Sequence, residues 1–127
     1  MPDNVRQYMD NLNGNQRSVV SLNFVKSDYG PATKLLPTLS EETDPSTIIV
    51  TVDDDVTYPR SYLEELYRAA VRYPDKAVGY AGYRVNYGEE GEICEIVESQ
   101  RLMTDVEVDV LSGFSGVAYR RAIMHAP

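Results

Sequence analysis

Residues 48–56 read Ile48-Ile49-Val50-Thr51-Val52-Asp53-Asp54-Asp55-Val56. The apolar, β-branched part of this run suits a buried strand covered on both faces, as in the centre of a parallel sheet. In open α/β sheets, ligands bind beyond the carboxyl ends of such strands. Here that end carries three consecutive carboxylates. Adjacent anions repel one another, and a divalent cation is the simplest reason to gather them. Mg²⁺ and Mn²⁺ prefer carboxylate oxygens and leave coordination positions open for phosphates. On an extended chain alternate side chains share a face, which pairs Asp53 with Asp55 and turns Asp54 away. The competing reading is a solvated loop that supplies a helix N-cap.

Composition narrows the class. The chain has 127 residues, enough for one domain with a real core. Hydrophobic residues make up 43% of it, which argues for a globular protein. The net charge of −8 argues against a general nucleic-acid binder, which needs a basic face. A bound metal can still reverse the local sign for a phosphate ligand. Cys94 is the one cysteine, so no intrachain disulfide and no Cys-rich zinc site are expected. No apolar run reaches membrane-spanning length and no secretory leader pattern opens the chain, so a soluble cytoplasmic protein is the expectation.

Residues 1–17 are polar and irregular and read as an N-terminal arm, with a short helix around Val5–Leu12. Residues 18–127 read as a single α/β domain. Its first strand is expected at 18–25, followed by Gly30-Pro31 and a helix to about Leu39. After the acidic triplet, Thr57-Tyr58-Pro59 opens a helix whose apolar stripe is Leu63, Leu66, Tyr67, Ala70 and Val71. Pro74 ends it. Residues 77–85 read as a strand whose glycines mark a close approach. Tyr87–Gly91 reads as a hairpin turn into a strand at Glu92–Val97. Val106, Val108 and Val110 alternate with Glu107 and Asp109, as in a strand buried on one face. Gly113-Phe114-Ser115-Gly116 and Val117–Arg121 follow. The order indicates α/β architecture with a partly antiparallel sheet.

Three segments in this order resemble the nucleotide-sugar glycosyltransferases of the GT-A fold, most closely the glycosyltransferase domains of large algal (chlorella-type) viruses. They are Asp28-Tyr29-Gly30-Pro31-Ala32-Thr33-Lys34-Leu35, the strand ending Asp53-Asp54-Asp55-Val56-Thr57-Tyr58-Pro59, and Val108–Arg120 with its Gly-Phe-Ser-Gly. The resemblance implies a mixed GT-A sheet flanked by helices, a UDP-sugar donor, Mn²⁺ or Mg²⁺, and a hydroxyl or glycan acceptor. It implies that Asp53 touches the ribose and shares the metal, that Asp55 binds the metal on the diphosphate, and that Asp54 lies near the sugar. It implies that Asp28, Tyr29 and Gly30 lie by the nucleoside and Lys34 by the diphosphate. Gly113, Phe114, Ser115 and Gly116 would border the donor sugar and acceptor. Such enzymes carry an earlier strand and, further on, a catalytic carboxylate; neither is found in 1–127, so a partial domain without its general base is expected. For a viral enzyme the compartment is the host cytoplasm.

Two other readings stand beside this one. A non-catalytic module derived from the same fold would use an exposed sheet edge to pair with another copy. An unrelated acidic α/β domain would bind a divalent cation without a nucleotide. Simpler roles also exist for single residues. Asp28 suits a turn cap, Lys34 an exposed helix position, Tyr80 and Tyr83 strand packing, Glu107 and Asp109 a wet strand face, and His125 a solvated tail.

Overall fold

The computed structural model describes residues 21, 23–88, 91–98 and 105–124. The expected arm at 1–17 and His125 lie outside them, as does part of the strand expected at 18–25. The described part of that run, at 21 and 23–25, is not a strand, and Phe24 is 82% exposed. Alternation in so short a stretch does not by itself create a partner.

The elements in chain order are α1 (Leu36–Glu41), β1 (Ile48–Thr51), α2 (Tyr62–Arg72), β2 (Val78–Gly79), β3 (Ala81–Gly88), β4 (Gly91–Glu98), β5 (Val110–Leu111) and β6 (Val117–Arg120). Single 3₁₀ turns at Gly30–Lys34, Gly113–Ser115 and Arg121–Ile123 join them. The protein is thus a small α/β protein. Its strands form two three-stranded sheets, ordered β1-β6-β2 and β4-β3-β5.

Every strand pairing among the described residues is antiparallel, which corrects the parallel placement expected for the acidic strand. β1 pairs with β6, Ile49 opposite Tyr119 and Thr51 opposite Val117. An apolar run records that both faces are covered, not which way its neighbour runs. The covering itself is as expected. Val117 and Ala118 are adjacent on β6, point to opposite faces and are both fully buried. Ile49 and Thr51 are buried on one face of β1, while Ile48 and Val50 pack toward α2 on the other.

Pro31 sits in the first turn of the first 3₁₀ segment, as expected, but the segment breaks at Leu35 and α1 starts afresh with Pro37 in its first turn. α2 carries Glu64 and Glu65 in its first turn and Arg72 in its last, which suits the helix dipole. It ends at Arg72, with Tyr73 as its cap directly before Pro74. Its buried stripe is Tyr62, Leu66 and Ala70. Leu66 and Ala70 were expected there, but Leu63, Tyr67 and Val71 are exposed, at 61%, 59% and 51%. The helix has two adjacent apolar lines, and the narrow β1-β6-β2 sheet covers only one. Arg120 reaches back from β6 to donate to the Ala70 carbonyl near the end of α2 (3.1 Å).

The chain from Val78 to Gly88 changes partners along its length. β2 pairs with β6, and β3 pairs with β5 and with β4 in the expected hairpin. Gly82 is required where β5 crosses: a Cβ there would lie 2.6 Å from the Val110 carbonyl oxygen and 2.7 Å from Val108 Cγ2. Val110, as the first residue of β5, is the only ladder residue of the expected strand at 106–110. Within it Glu107 and Asp109 face water while Val106 and Val108 are half-buried, as expected; Val110 is exposed. Between β5 and β6 the chain steps from one sheet to the other, and that step throws out the loop Ser112–Gly116. Among the described residues no helix is long and apolar enough to cross a membrane.

Candidate functional site

β1 ends at Thr51, two residues before the acidic triplet. Asp53 is half-buried, and Asp54 and Asp55 form an exposed turn. The extended geometry that would put Asp53 and Asp55 on one face therefore does not apply, because the strand has already ended. Asp53 turns back into the fold and Asp54-Asp55 turn out of it.

Asp53 is the hub. Its carboxylate forms an ion pair with the Lys34 ammonium, from the end of the first 3₁₀ turn. Its backbone N–H donates to the Tyr58 hydroxyl (2.9 Å), and that hydroxyl donates to the Phe114 carbonyl (3.0 Å). Gly113 lies on the other side of Lys34: a Cβ at Gly113 would stand 4.0 Å from the Lys34 Nζ. Residues 28–34, 53–58 and 113–116 are thus brought together at the end of β1.

The Gly113–Gly116 loop is shaped from beneath. Gly116 has φ +86°, a backbone that L side chains rarely adopt. A Cβ on it would fall 1.5 Å from the Tyr62 hydroxyl oxygen. Tyr62 is 3% exposed and packs between Tyr58 and Tyr80, with ring centroids 4.4 and 5.3 Å away. Its hydroxyl has no hydrogen-bond partner among the described residues. Burial pushes the Tyr62 phenol up to about 12, and neighbouring Tyr58 and Asp53 add to the shift.

The other residues singled out in the sequence divide. Asp28 serves its own turn, accepting from the Gly30 N–H (2.7 Å) and the Thr33 hydroxyl (3.1 Å). That is the turn-cap role. Tyr29 is exposed there, its N–H bound to the Thr33 hydroxyl (2.7 Å), and Gly30 has φ +60°. Ser115 donates to the Ser112 carbonyl within its own loop (2.7 Å), and the Phe114 ring is exposed. Tyr58 and Tyr62 are the residues that sequence reasoning missed. No periodicity marks Tyr58, and Tyr62 sits one residue ahead of the stripe assigned to α2.

Among the described residues no three Asp, Glu, His or Cys side chains gather as a metal cage. The donors present still suit a hard cation that takes most of its ligands from phosphate and water, as Mg²⁺ does with one or two carboxylates. Asp54 and Asp55 offer such oxygens at the exposed turn, while the Asp53 carboxylate is paired with Lys34.

A cavity of about 910 Å³ lies elsewhere, between the end of α2, β2 and the segment 105–111, lined by Tyr73, Tyr80, Val108 and Tyr119 among others. None of the site residues named above lines it. Charged groups at its rim are paired with one another, Arg72 with Asp105 and Lys76 with Glu107. The polar groups that converge from distant segments are at Asp53, away from this cavity. Compared with known proteins, the chain matches no family model, no curated protein and no solved structure.

Proposed function

We propose that the chain is a GT-A-like domain that binds a nucleoside diphosphate sugar, a UDP-sugar above all, with a divalent cation. The observation that carries this reading is the convergence of three segments far apart in sequence, through the Lys34–Asp53 pair and the Asp53–Tyr58–Phe114 bridge. A diphosphate needs positive charge, which Lys34 and the cation supply together. Bound at Asp54 and Asp55 with help from Asp53, Mn²⁺ or Mg²⁺ would neutralise the diphosphate as a leaving group. The exposed rim at Tyr29 and Gly30 suits the nucleoside, and the Gly113–Gly116 loop suits the sugar. The reaction in this reading is transfer of the sugar to a hydroxyl acceptor such as a glycan. The same resemblance carries the cytoplasmic, and for a virus host-cytoplasmic, setting.

Calorimetric titration of UDP into the folded chain with Mn²⁺ tests the donor site, and loss of binding on adding EDTA tests the cation. Binding of Mn²⁺ that is indifferent to UDP would favour the acidic cation-binding reading instead. One observation favours the assembly reading. Among the described residues, the edge of β1 away from β6 carries no strand. A dimer that forms without UDP and survives its addition would support that reading.

A further inference from the structure

The acidic turn and the glycine loop meet through one oxygen atom. The Tyr58 hydroxyl accepts from the Asp53 N–H and donates to the Phe114 carbonyl, at 2.9 and 3.0 Å. A phenol has one proton to give, and here it is committed to Phe114. No other side chain among the described residues hydrogen-bonds both segments. The Phe114 ring is 57% exposed and the Ser115 hydroxyl is used within the loop, so the loop is fastened by its backbone.

The strut is held stiffly. The Tyr58 ring stands 4.4 Å from the Tyr62 ring, and Tyr62 is fixed in the core beneath Gly116. Movement of the loop at Phe114 is therefore passed to the backbone of Asp53, and movement of Asp53 is passed back.

We infer that Tyr58 is a positioning residue that couples the Gly113–Gly116 loop to Asp53, so that the sugar of a bound donor is registered at the acidic turn. The inference rests on the sugar-nucleotide reading above and adds a residue and a communication route that the family resemblance did not assign. The two loops are linked by one hydroxyl, so occupation of the sugar end changes the affinity of the diphosphate end, and the reverse holds by linkage.

Tyr58→Phe keeps the ring and removes the bridge. The released N–H and carbonyl lie at a half-exposed position where water takes them up, so the fold stays intact. The experiment is calorimetry with Mn²⁺ on wild type, Tyr58→Phe and Lys34→Met, with UDP, UDP-glucose, UDP-galactose and UDP-N-acetylglucosamine as probes. Tyr58→Phe is expected to raise the Kd of UDP less than threefold and that of the sugar nucleotides at least tenfold. Lys34→Met, which leaves the Tyr58 bridge in place, is expected to weaken all probes by the same factor.

Equal losses for UDP and the sugar nucleotides in Tyr58→Phe, or no loss, overturn the coupling while the donor site stands. Wild type that binds UDP but gains or loses nothing from any of the sugars overturns it too. Wild type that binds no probe withdraws the site and the coupling together. Amide hydrogen exchange on the wild type gives a second answer that needs no variant. The Asp53 amide is expected to exchange at least threefold more slowly with a sugar nucleotide than with UDP. Equal exchange in the two complexes refutes the route.

Discussion

Replacing Gly116 by alanine tests how the glycine loop is built. Two costs add. A side chain at φ +86° is strained, which costs of order 1–3 kcal/mol. The new Cβ would also lie 1.5 Å from the Tyr62 hydroxyl oxygen, 2.4 Å from Cζ and 2.8 Å from Cε2. The ring cannot swing aside, because Tyr62 is 3% exposed and flanked by Tyr58 and Tyr80. Forcing an added methyl into such packing costs a further ~1–3 kcal/mol. Gly116→Ala should therefore lose about 3–5 kcal/mol, a large part of the roughly 5–15 kcal/mol that holds a domain folded. Urea unfolding followed by circular dichroism reads this as a lower midpoint with an unchanged slope. Gly113→Ala is the control in the same loop. Its Cβ meets only Lys34 Nζ, at 4.0 Å, so the change should stay within about 1 kcal/mol. Adding Tyr62→Phe to Gly116→Ala should restore part of the loss, because the nearest atom disappears while Cζ remains. A Gly116→Ala loss under about 1 kcal/mol, or equal losses at Gly113 and Gly116, would refute the reasoning.

Four further outcomes follow from the same geometry. Tyr62→Phe removes a buried hydroxyl with no partner among the described residues, and should stabilise the protein by about 1 kcal/mol at neutral pH in thermal melts. The raised Tyr62 phenol also sets an alkaline limit, since a proton held more tightly in the folded state stabilises it below the unfolded value near 10. That stability should fall by roughly 3 kcal/mol as pH rises from 10 through about 12, and melts of Tyr62→Phe across this window should show a loss smaller by that amount, the rest coming from the Tyr80 and Tyr119 phenols, which burial also raises. Lys34→Ala should cost about 1 kcal/mol of stability, as a half-exposed ion pair does, and weaken UDP binding about tenfold; unchanged UDP affinity would make the pair with Asp53 purely structural. Asp55→Ala and Asp54→Asn should each weaken UDP binding by roughly 1–3 kcal/mol with Mn²⁺ and leave metal-free binding alone; equal losses with and without Mn²⁺ in calorimetry would indicate only a diffuse negative patch.

Much of the framework was legible before any coordinates. The Ile48–Val52 run marked a strand covered on both faces, Pro74 marked the end of α2, and Tyr87–Gly91 marked the hairpin. Gly82 marked the crossing of another segment. What could not be read depended on partners distant in sequence. The direction of β6 beside β1 leaves no trace in an apolar run. The choice between the Tyr62-Leu66-Ala70 and Leu63-Tyr67-Val71 lines of α2 depends on the width of the sheet it covers. The three segments picked out in the sequence do meet at the end of β1, but the Lys34–Asp53 pair that joins two of them was not foreseen. The placement of the triplet, Asp53 turned inward and Asp54-Asp55 outward, was not legible, because it turned on the strand ending at Thr51 rather than at Asp53. Tyr58 was invisible for a plainer reason: a single tyrosine bridging two loops has no spacing or pattern to betray it.

The central claim is that Lys34, Asp53 and the exposed Asp54-Asp55 turn receive a cation-bound nucleoside diphosphate. Isothermal titration of UDP into the folded wild-type chain, with Mn²⁺ and again after EDTA, tests it most directly. The account predicts one UDP site per chain with Mn²⁺ and an affinity at least tenfold weaker after chelation. A folded chain that takes up no heat from millimolar UDP in the presence of Mn²⁺ would contradict it.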